Sequence, residues 1–340
     1  VMEIKQALNK IAQRRDLTGE EMRGVMRIIM AGEATASQTG AFLMGMRLKG
    51  ETAGEIAAAV SILREMMVPV EAPADSIDIV GTGGDGHGTL NISTAAAIVV
   101  ASLGVPVAKH GNRALSSKSG SSQALEALGV KLDLGPDAIA QTIREAGIGF
   151  MFAPSHHPAM KHVGPARTEM GVRTMFNLLG PQSNPASVGR YLLGVFAEEW
   201  VEKIAQALQA NRVKKAWVVH GCDGLDELTV TGKSFVAQIA NGDLRSFEVR
   251  PEDAGLKQYD LAEILGGTPE ENAQAIHALF DGAPGAYRDI VLLNAAAALI
   301  VADNVETLRD GAEAAARAID NGDAKNTLAR LVAVSNGRAP

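Results

Sequence analysis

Ile77-Asp78-Ile79-Val80-Gly81-Thr82-Gly83-Gly84-Asp85-Gly86 reads as a short strand running into a glycine-rich loop, and Asn91-Ile92-Ser93-Thr94 then opens a helix. Strand, loop and helix in that order begin a β-α-β unit. The glycines allow the backbone to come close to a ligand with its N–H groups turned toward it, and the helix start adds an anion-friendly terminus. The loop matches neither the dinucleotide G-x-G-x-x-G nor the nucleotide G-x-x-x-x-G-K-S/T pattern. Asp85 would repel an anion, so its presence points to a sugar hydroxyl or metal-bound water as its partner. A tight turn followed by a helix cap is the plainer alternative.

Downstream, further strands are expected at 105–108, 148–152 and 216–219, with helices near 93–103, 121–128, 136–146 and 200–210 between them. Such alternation implies a mostly parallel sheet with helices on both faces. Asn241-Gly242 separates two strand-like runs, 235–239 and 244–249, and signals a hairpin. The tail from about residue 261 is helical, and its 294–302 portion is apolar nearly all round, which places it in the core. Upstream, Thr18 and Glu21, Thr35 and Gln38, and Thr52 and Glu55 each have capping-box spacing, and Gly32 and Gly50 stand where left-handed C-caps would. Pro69 and Pro73 then bracket a linker or hinge. The fold class is α/β: a small all-helical N-terminal domain, residues 1–70, and a large α/β domain, residues 75–340, with a mostly parallel central sheet flanked by helices.

The 340 residues are 46% hydrophobic and 21% charged, the balance of a globular chain able to bury a large core. Aromatic residues are 4% and the net charge is −7, which argues against stacking platforms and basic stripes for nucleic acid. Cys222 is the single cysteine, so no internal disulfide is possible and a reducing cytoplasm is expected. The first residues are amphipathic rather than signal-like, and 292–302 is too short to span a bilayer, so no membrane partner is expected.

Ligands in open parallel sheets bind beyond the carboxyl ends of the strands, and three further segments are expected there. Lys109-His110-Gly111-Asn112-Arg113-Ala114-Leu115-Ser116-Ser117-Lys118-Ser119-Gly120-Ser121 is rich in basic groups and serines and has no acid. It can neutralise and hydrogen-bond a pyrophosphate from several sides, although a solvated basic loop has the same composition. His156-His157-Pro158 leads to Lys161, His162, Arg167 and Arg173. Adjacent histidines rarely meet one ion, which disfavours zinc, whereas an arginine fork matches a carboxylate. Asp223-Gly224-Leu225-Asp226-Glu227 gathers three carboxylates within five residues. Mg²⁺ favours a few carboxylates together with water and phosphate oxygens, and an acidic surface turn is the alternative.

Taken in order, Gly81-Thr82-Gly83-Gly84-Asp85-Gly86, Asn91-Ile92-Ser93-Thr94, Lys109-His110-Gly111-Asn112-Arg113, His157-Pro158-Ala159-Met160-Lys161, Arg173-Thr174-Met175-Phe176-Asn177 and Asp223-Gly224-Leu225-Asp226-Glu227 resemble the anthranilate phosphoribosyltransferase family over nearly the whole chain. The resemblance implies a nucleoside-phosphorylase-like architecture, a homodimer formed through the helical domain, and helices near 165–180 packed with that domain. It implies transfer of phosphoribosyl from phosphoribosyl pyrophosphate to anthranilate in tryptophan biosynthesis. Gly81, Gly84, Asp85, Thr89, Asn91, Ile92, Ser93, Thr94, Lys109, His110, Gly111, Asn112, Arg113, Ala114, Leu115, Ser116, Ser117 and Ser121 would hold the donor. Ser93, Asp226 and Glu227 would ligate Mg²⁺. Gly81, Asn112 and Arg167 would meet anthranilate, with His110 and His157 along its path, and Lys109 and Arg167 would act in catalysis. Ser122-Gln123 depart from the family's usual Ala-Asp. Two rival readings are a pyrimidine nucleoside phosphorylase, whose Lys-Met-Ser-Gly-Arg segment is absent, and a non-catalytic nucleic-acid-binding homologue, which the net charge disfavours.

Overall fold

The structure, a computed structural model, describes residues 3–113 and 119–340. Four helices come first: α1 (Ile4–Ala12), α2 (Gly19–Met30), α3 (Ala36–Lys49) and α4 (Ala53–Met66). The Thr18, Thr35 and Thr52 hydroxyls cap the last three, each answered by the side chain three residues on. The helices bury apolar faces against one another, including Ile4, Ala7 and Ile11 of α1 and Met22, Val25, Met26 and Ile29 of α2. Glu55 is fully buried among them and accepts from the Leu17 and Thr52 N–H groups and from Lys49, which locks the start of α4 to the α1–α2 turn.

The second part runs β1 (Ile77–Gly81), α5 (Ile92–Ser102), β2 (Val107–Gly111), α6 (Ser121–Ala127), α7 (Pro136–Ala146), β3 (Ile148–Phe152), α8 (Ala153–His156), α9 (Gly164–Met170), α10 (Phe176–Leu179), β4 (Arg190–Gly194), α11 (Glu199–Ala210), β5 (Lys215–Gly221), β6 (Ser234–Ala240), β7 (Asp243–Val249), α12 (Pro269–Phe280), α13 (Ala286–Val301), α14 (Leu308–Asp320) and α15 (Asp323–Ser335). The seven strands form one sheet in the order β3-β2-β1-β4-β5-β6-β7. The first five are parallel, and β6 and β7 are antiparallel. Asn241 and Gly242 both take positive φ, 52° and 84°, as a two-residue hairpin turn requires. Strand residues alternate between two cores. Ile77, Ile79, Leu192 and Val219 face α5 and the C-terminal helices, including the buried stretch of α13. Val80, Tyr191, Leu193 and Val218 face α11, α4 and the bundle.

Two sequence expectations shift. The second strand lies at Val107–Gly111 rather than 105–108. Pro106 has no N–H to give a ladder, and the strand instead continues through Lys109 and His110, whose polar side chains are buried. The central strand β4 was not anticipated, because Arg190-Tyr191 breaks the apolar run; Arg190 is buried and paired with Asp303 at 2.7 Å.

Segment 153–187 packs on the bundle: α9 on α3, α10 on α4, and the turn 158–162 on α2. The linker after α4 is bonded as well. The Val68 N–H donates to the His156 carbonyl at 2.8 Å, His156 Nδ1 lies 3.0 Å from the Val68 carbonyl, and the Val70 N–H donates to the Pro185 carbonyl at 3.0 Å. The first part of the expected hinge, through Val70, is therefore tied to segment 153–187. Among the described residues, no helix is long and apolar enough to cross a membrane.

Candidate active site

Strand order reverses between β1 and β4, and ligands of open α/β sheets bind at such switch points. Here the crevice is widened by a seam. β1 pairs with β4 along all five residues, but with β2 only at Ile77 and Val107. Beyond that pair, side chains replace ladder bonds. Asp78 Oδ1 accepts the His110 N–H at 3.2 Å, and Asp78 Oδ2 accepts Asn184 Nδ2 at 2.8 Å. The same Asn184 nitrogen donates to the Ala108 carbonyl at 2.9 Å. Lys109 Nζ crosses from β2 to the Ile79 carbonyl of β1 and to Ser93 Oγ, the latter at 3.2 Å. Burial holds Lys109 below the usual lysine range, against the pull of Asp78, Glu227 and Asp226. Burial likewise pushes Asp78 up to about 7, although Lys109 and Asn184 favour its charge.

The acidic segment after β5 folds back over the switch point. Asp226 Oδ2 accepts the Gly83 N–H at 2.8 Å. A Cβ at Gly81 would collide with the Asp226 carboxylate, and one at Gly194 would overlap the Asp226 backbone carbonyl. The two strand-end glycines, on β1 and β4, are thus what admit this segment. Asp226 is pushed up to about 7, first by burial and then by the nearby Asp85. Glu227 is pushed well above the carboxylate range by burial and by Asp226, with the Ser93 N–H working the other way. Asp223 is turned aside and serves the loop itself through the Thr229 and Thr231 hydroxyls.

The site therefore gathers Asp85, Ser93, Lys109, Asp226 and Glu227 at the mouth of the seam, with more acids than bases. Two carboxylates that resist ionisation, a third beside them and a hydroxyl form a hard-oxygen set whose charge a divalent cation would relieve, and the residues fit Mg²⁺ in this sense. No three His, Cys, Asp or Glu side chains among the described residues are disposed as a ready metal cage, His156 and His157 included. Such an ion would thus draw remaining ligands from water or substrate.

Around this centre, Gly84 has φ 75° and lies against the Arg173 guanidinium, which stacks 4.5 Å over the Phe196 ring. Asp85 Oδ1 accepts the His87 N–H at 3.2 Å. Thr89 bridges to Leu265. Asn91-Ile92-Ser93-Thr94 starts α5 without a cap from the Asn91 side chain, and Glu227 accepts the Ser93 N–H there. Gly111 ends β2 where Ser121 and Phe150 leave no room for a Cβ. Asn112 Oδ1 accepts the Arg113 N–H at 2.8 Å, and Arg113 lies 3.6 Å from Glu126. Ala114, Leu115, Ser116 and Ser117 lie outside the described residues. Gln123 Oε1 accepts the Gly120 N–H at 2.9 Å, so one member of the departing Ser122-Gln123 pair caps α6.

On the bundle side, His110 and His157 have ring centroids 5.2 Å apart. Burial holds both below the histidine range, His157 at about 4, so both are neutral near pH 7. Arg167, on α9, stacks 5.6 Å over the Phe176 ring and is partly desolvated. Its guanidinium has no carboxylate partner among the described residues. Its helix packs on α3 of the bundle.

Sequence reading missed Asp78 and Asn184 as parts of this site, and also Asn272 and Tyr287, which hold Asn91. Asp78 carried a signal, a lone charge in an apolar strand. Asn184 and Asn272 carried none.

Residues 73–325 match the glycosyl transferase family, a/b domain, and residues 5–67 match the glycosyl transferase family, helical bundle domain. Among curated relatives, the anthranilate phosphoribosyltransferase of Parvibaculum lavamentivorans is 58% identical over 99% of this chain and 98% of its own. That of Nitrobacter hamburgensis is 54% identical over 98% and 99%. Among solved structures, anthranilate phosphoribosyltransferase from Thermus thermophilus superposes with TM-score 0.92 at 43% identity, covering 97% of this chain and 99% of that one. The enzyme from Saccharomyces cerevisiae, in complex with PRPP and Mg, gives 0.90 at 26% identity, covering 98% of each chain.

Proposed function

The chain belongs to the anthranilate phosphoribosyltransferase family, and from that premise we propose that it transfers the 5-phosphoribosyl group of phosphoribosyl pyrophosphate to the amine of anthranilate, a step of L-tryptophan biosynthesis. The bond from ribose C1 to the pyrophosphate oxygen breaks, the bond from C1 to the amine nitrogen forms, and the nitrogen releases a proton. The observation that carries this reading is the acidic segment folded over Gly81 and Gly194, which sets Asp226 and Glu227 against Ser93, Lys109 and the first loop.

Ser93, Asp226 and Glu227 would hold Mg²⁺. When bound, the ion shields the donor's pyrophosphate and stabilises its growing charge. The chain's own groups do the rest. The N–H groups of the first loop and of the α5 terminus that Asp85, Asp226 and Glu227 do not take would bind anionic oxygens. Lys109, buried and fixed from two sides, supplies a positioned cation for the leaving group. Asp85 serves as an acceptor for a ribose hydroxyl or for water. Arg167, desolvated and without a carboxylate partner, is free to fork onto the anthranilate carboxylate. Neutral His110 and His157 border the acceptor's path without competing for that carboxylate as cations. The aryl amine is already a neutral nucleophile, so its orientation by Arg167 and Asn112 contributes more than a general base would. We also propose that the protein is a cytoplasmic homodimer joined through the helical bundle, as sedimentation at twice the chain's mass would report.

The test is steady-state kinetics of Arg167→Ala with both substrates varied. The KM for anthranilate should rise by at least about tenfold, the scale of a lost charge-assisted hydrogen bond, while donor affinity stays near its original value. An equal loss for both substrates would remove Arg167 from the acceptor site.

A further inference from the structure

Asn91 closes the first loop, and its side chain does not do what an asparagine before a helix usually does. No N–H of the first turn of α5 bonds to its oxygen, and its ψ is 83°. Oδ1 instead accepts Asn272 Nδ2 at 2.9 Å, across 181 residues of sequence. Asn272 is 1% exposed, in the first turn of α12. Its own orientation is fixed, because its Oδ1 accepts the Gly267 N–H at 2.8 Å and a backbone N–H can only donate.

The consequence passes along the chain of amides. With its oxygen committed to Gly267, Asn272 must present its NH₂ to Asn91. Asn91 must then answer with its oxygen, which leaves its own NH₂ as the edge turned toward Ser119, at the end of the second loop, with only a long contact, 3.4 Å, to the Ser119 carbonyl. The surrounding strap is rigid. The Leu90 N–H donates to the Ile264 carbonyl at 3.0 Å, the Gly266 N–H to the Gly88 carbonyl at 2.8 Å, and the Tyr287 hydroxyl to the Asn91 carbonyl at 3.0 Å.

We infer that Asn272 is a positioning residue for donor binding: it sets the Asn91 carboxamide so that N–H donors, rather than the carbonyl oxygen, face the anionic oxygens of the phosphoribosyl donor. This rests on the reading that Asn91 contacts the donor. Asn272 touches no substrate itself; it acts through the amide that it orients. A flipped Asn91 would set a lone pair against a phosphate oxygen, which is worse than no contact.

Asn272→Asp tests this with little change of shape. The carboxylate still accepts from Gly267 but can no longer donate, so Asn91 must turn its NH₂ inward. The expected result is a KM for phosphoribosyl pyrophosphate raised at least about tenfold, with kcat and the anthranilate KM changed far less. The same substitution in an Asn91→Ala background should add almost nothing, because there is no amide left to turn. If Asn272→Asp raises the donor KM equally in both backgrounds, the new charge acts directly and the relay is overturned. A raised donor KM in Asn91→Ala with no change in Asn272→Asp keeps Asn91 at the donor but removes Asn272 from the account. No change in either removes Asn91 from the donor site. Should Asn272→Asp not fold, Asn272→Ala serves instead: an unchanged donor KM would overturn the inference, and a severalfold rise absent from the Asn91→Ala background would support it.

Discussion

At Gly194 the missing Cβ makes room for a backbone carbonyl, that of Asp226, which no rotamer change can move aside. At Gly81 the obstacle is the tip of the Asp226 side chain, which can rotate. Gly194→Ala should therefore displace the acidic segment and lower kcat/KM at least about a hundredfold, the scale of an active-site group misplaced by about 1 Å, with a smaller effect from Gly81→Ala; kinetics of the two variants would check the order. His157 makes a different prediction. Its ordinary value is 6.5, and burial, then His156, brings it to about 4. Between those values the unfolded chain takes up a proton that the folded chain refuses. Stability is thus fully present above about 6.5 and falls as pH drops toward 4, by on the order of 3 kcal/mol for this one group. His157→Gln should flatten the dependence of Tm on pH within that window, and an unchanged slope would contradict the buried, neutral assignment. Among individual residues, the acids 223–227 were legible as a cluster, but the sequence could not tell that Asp226 and Glu227 face the site while Asp223 serves its own turn. That choice depends on Thr229 and Thr231 holding Asp223 away.

At the scale of elements, the decisive feature is the seam between β1 and β2. A regular parallel pair would have closed the crevice; Asp78, Asn184 and Lys109 fill it with polar groups instead. Asn184 is fully buried and spends its NH₂ on two acceptors. Asn184→Ala should cost about 2–4 kcal/mol in denaturant unfolding, since it leaves the Ala108 carbonyl and half of the Asp78 carboxylate unsatisfied. A cost below about 1 kcal/mol would mean that the seam closes without it. Much of this level was readable beforehand. The capping boxes, the Asn241-Gly242 hairpin and the strand at Ile148–Phe152 follow local rules of spacing and turn chemistry. β4 was not readable, because the partners that make a buried Arg190 tolerable, Asp303 and the Val301 carbonyl, lie more than a hundred residues away. Lys109 within a strand was hidden for a related reason, since its Nζ is held by the Ile79 carbonyl and the Ser93 hydroxyl on other elements.

For the whole molecule, the bundle is larger than the N-terminal helices. Segment 153–187 packs on it, Arg64 of α4 donates to the Gln182 carbonyl at 2.8 Å, and Arg47 of α3 donates to the Arg173 carbonyl. Arg167 and His157 thus belong to the bundle side, and the loops after β1 and β2 to the sheet. The proposed assignment, acceptor on the first and donor on the second, suits a reaction whose donor must be kept from water until both are in place. Because Val68 and Val70 are bonded to segment 153–187, their amides should exchange slowly, as the bundle's do, while exchange at 71–75 should be faster and should slow when both substrates bind. Fast exchange at Val68 would place the hinge there instead. The most direct measurement of the account's central claim is the loss of anthranilate fluorescence when the protein is mixed with anthranilate, phosphoribosyl pyrophosphate and Mg²⁺. A decay that requires all three, stops with EDTA and is lost in Asp226→Ala is the predicted result. Stable fluorescence with the intact protein under the same conditions would contradict it.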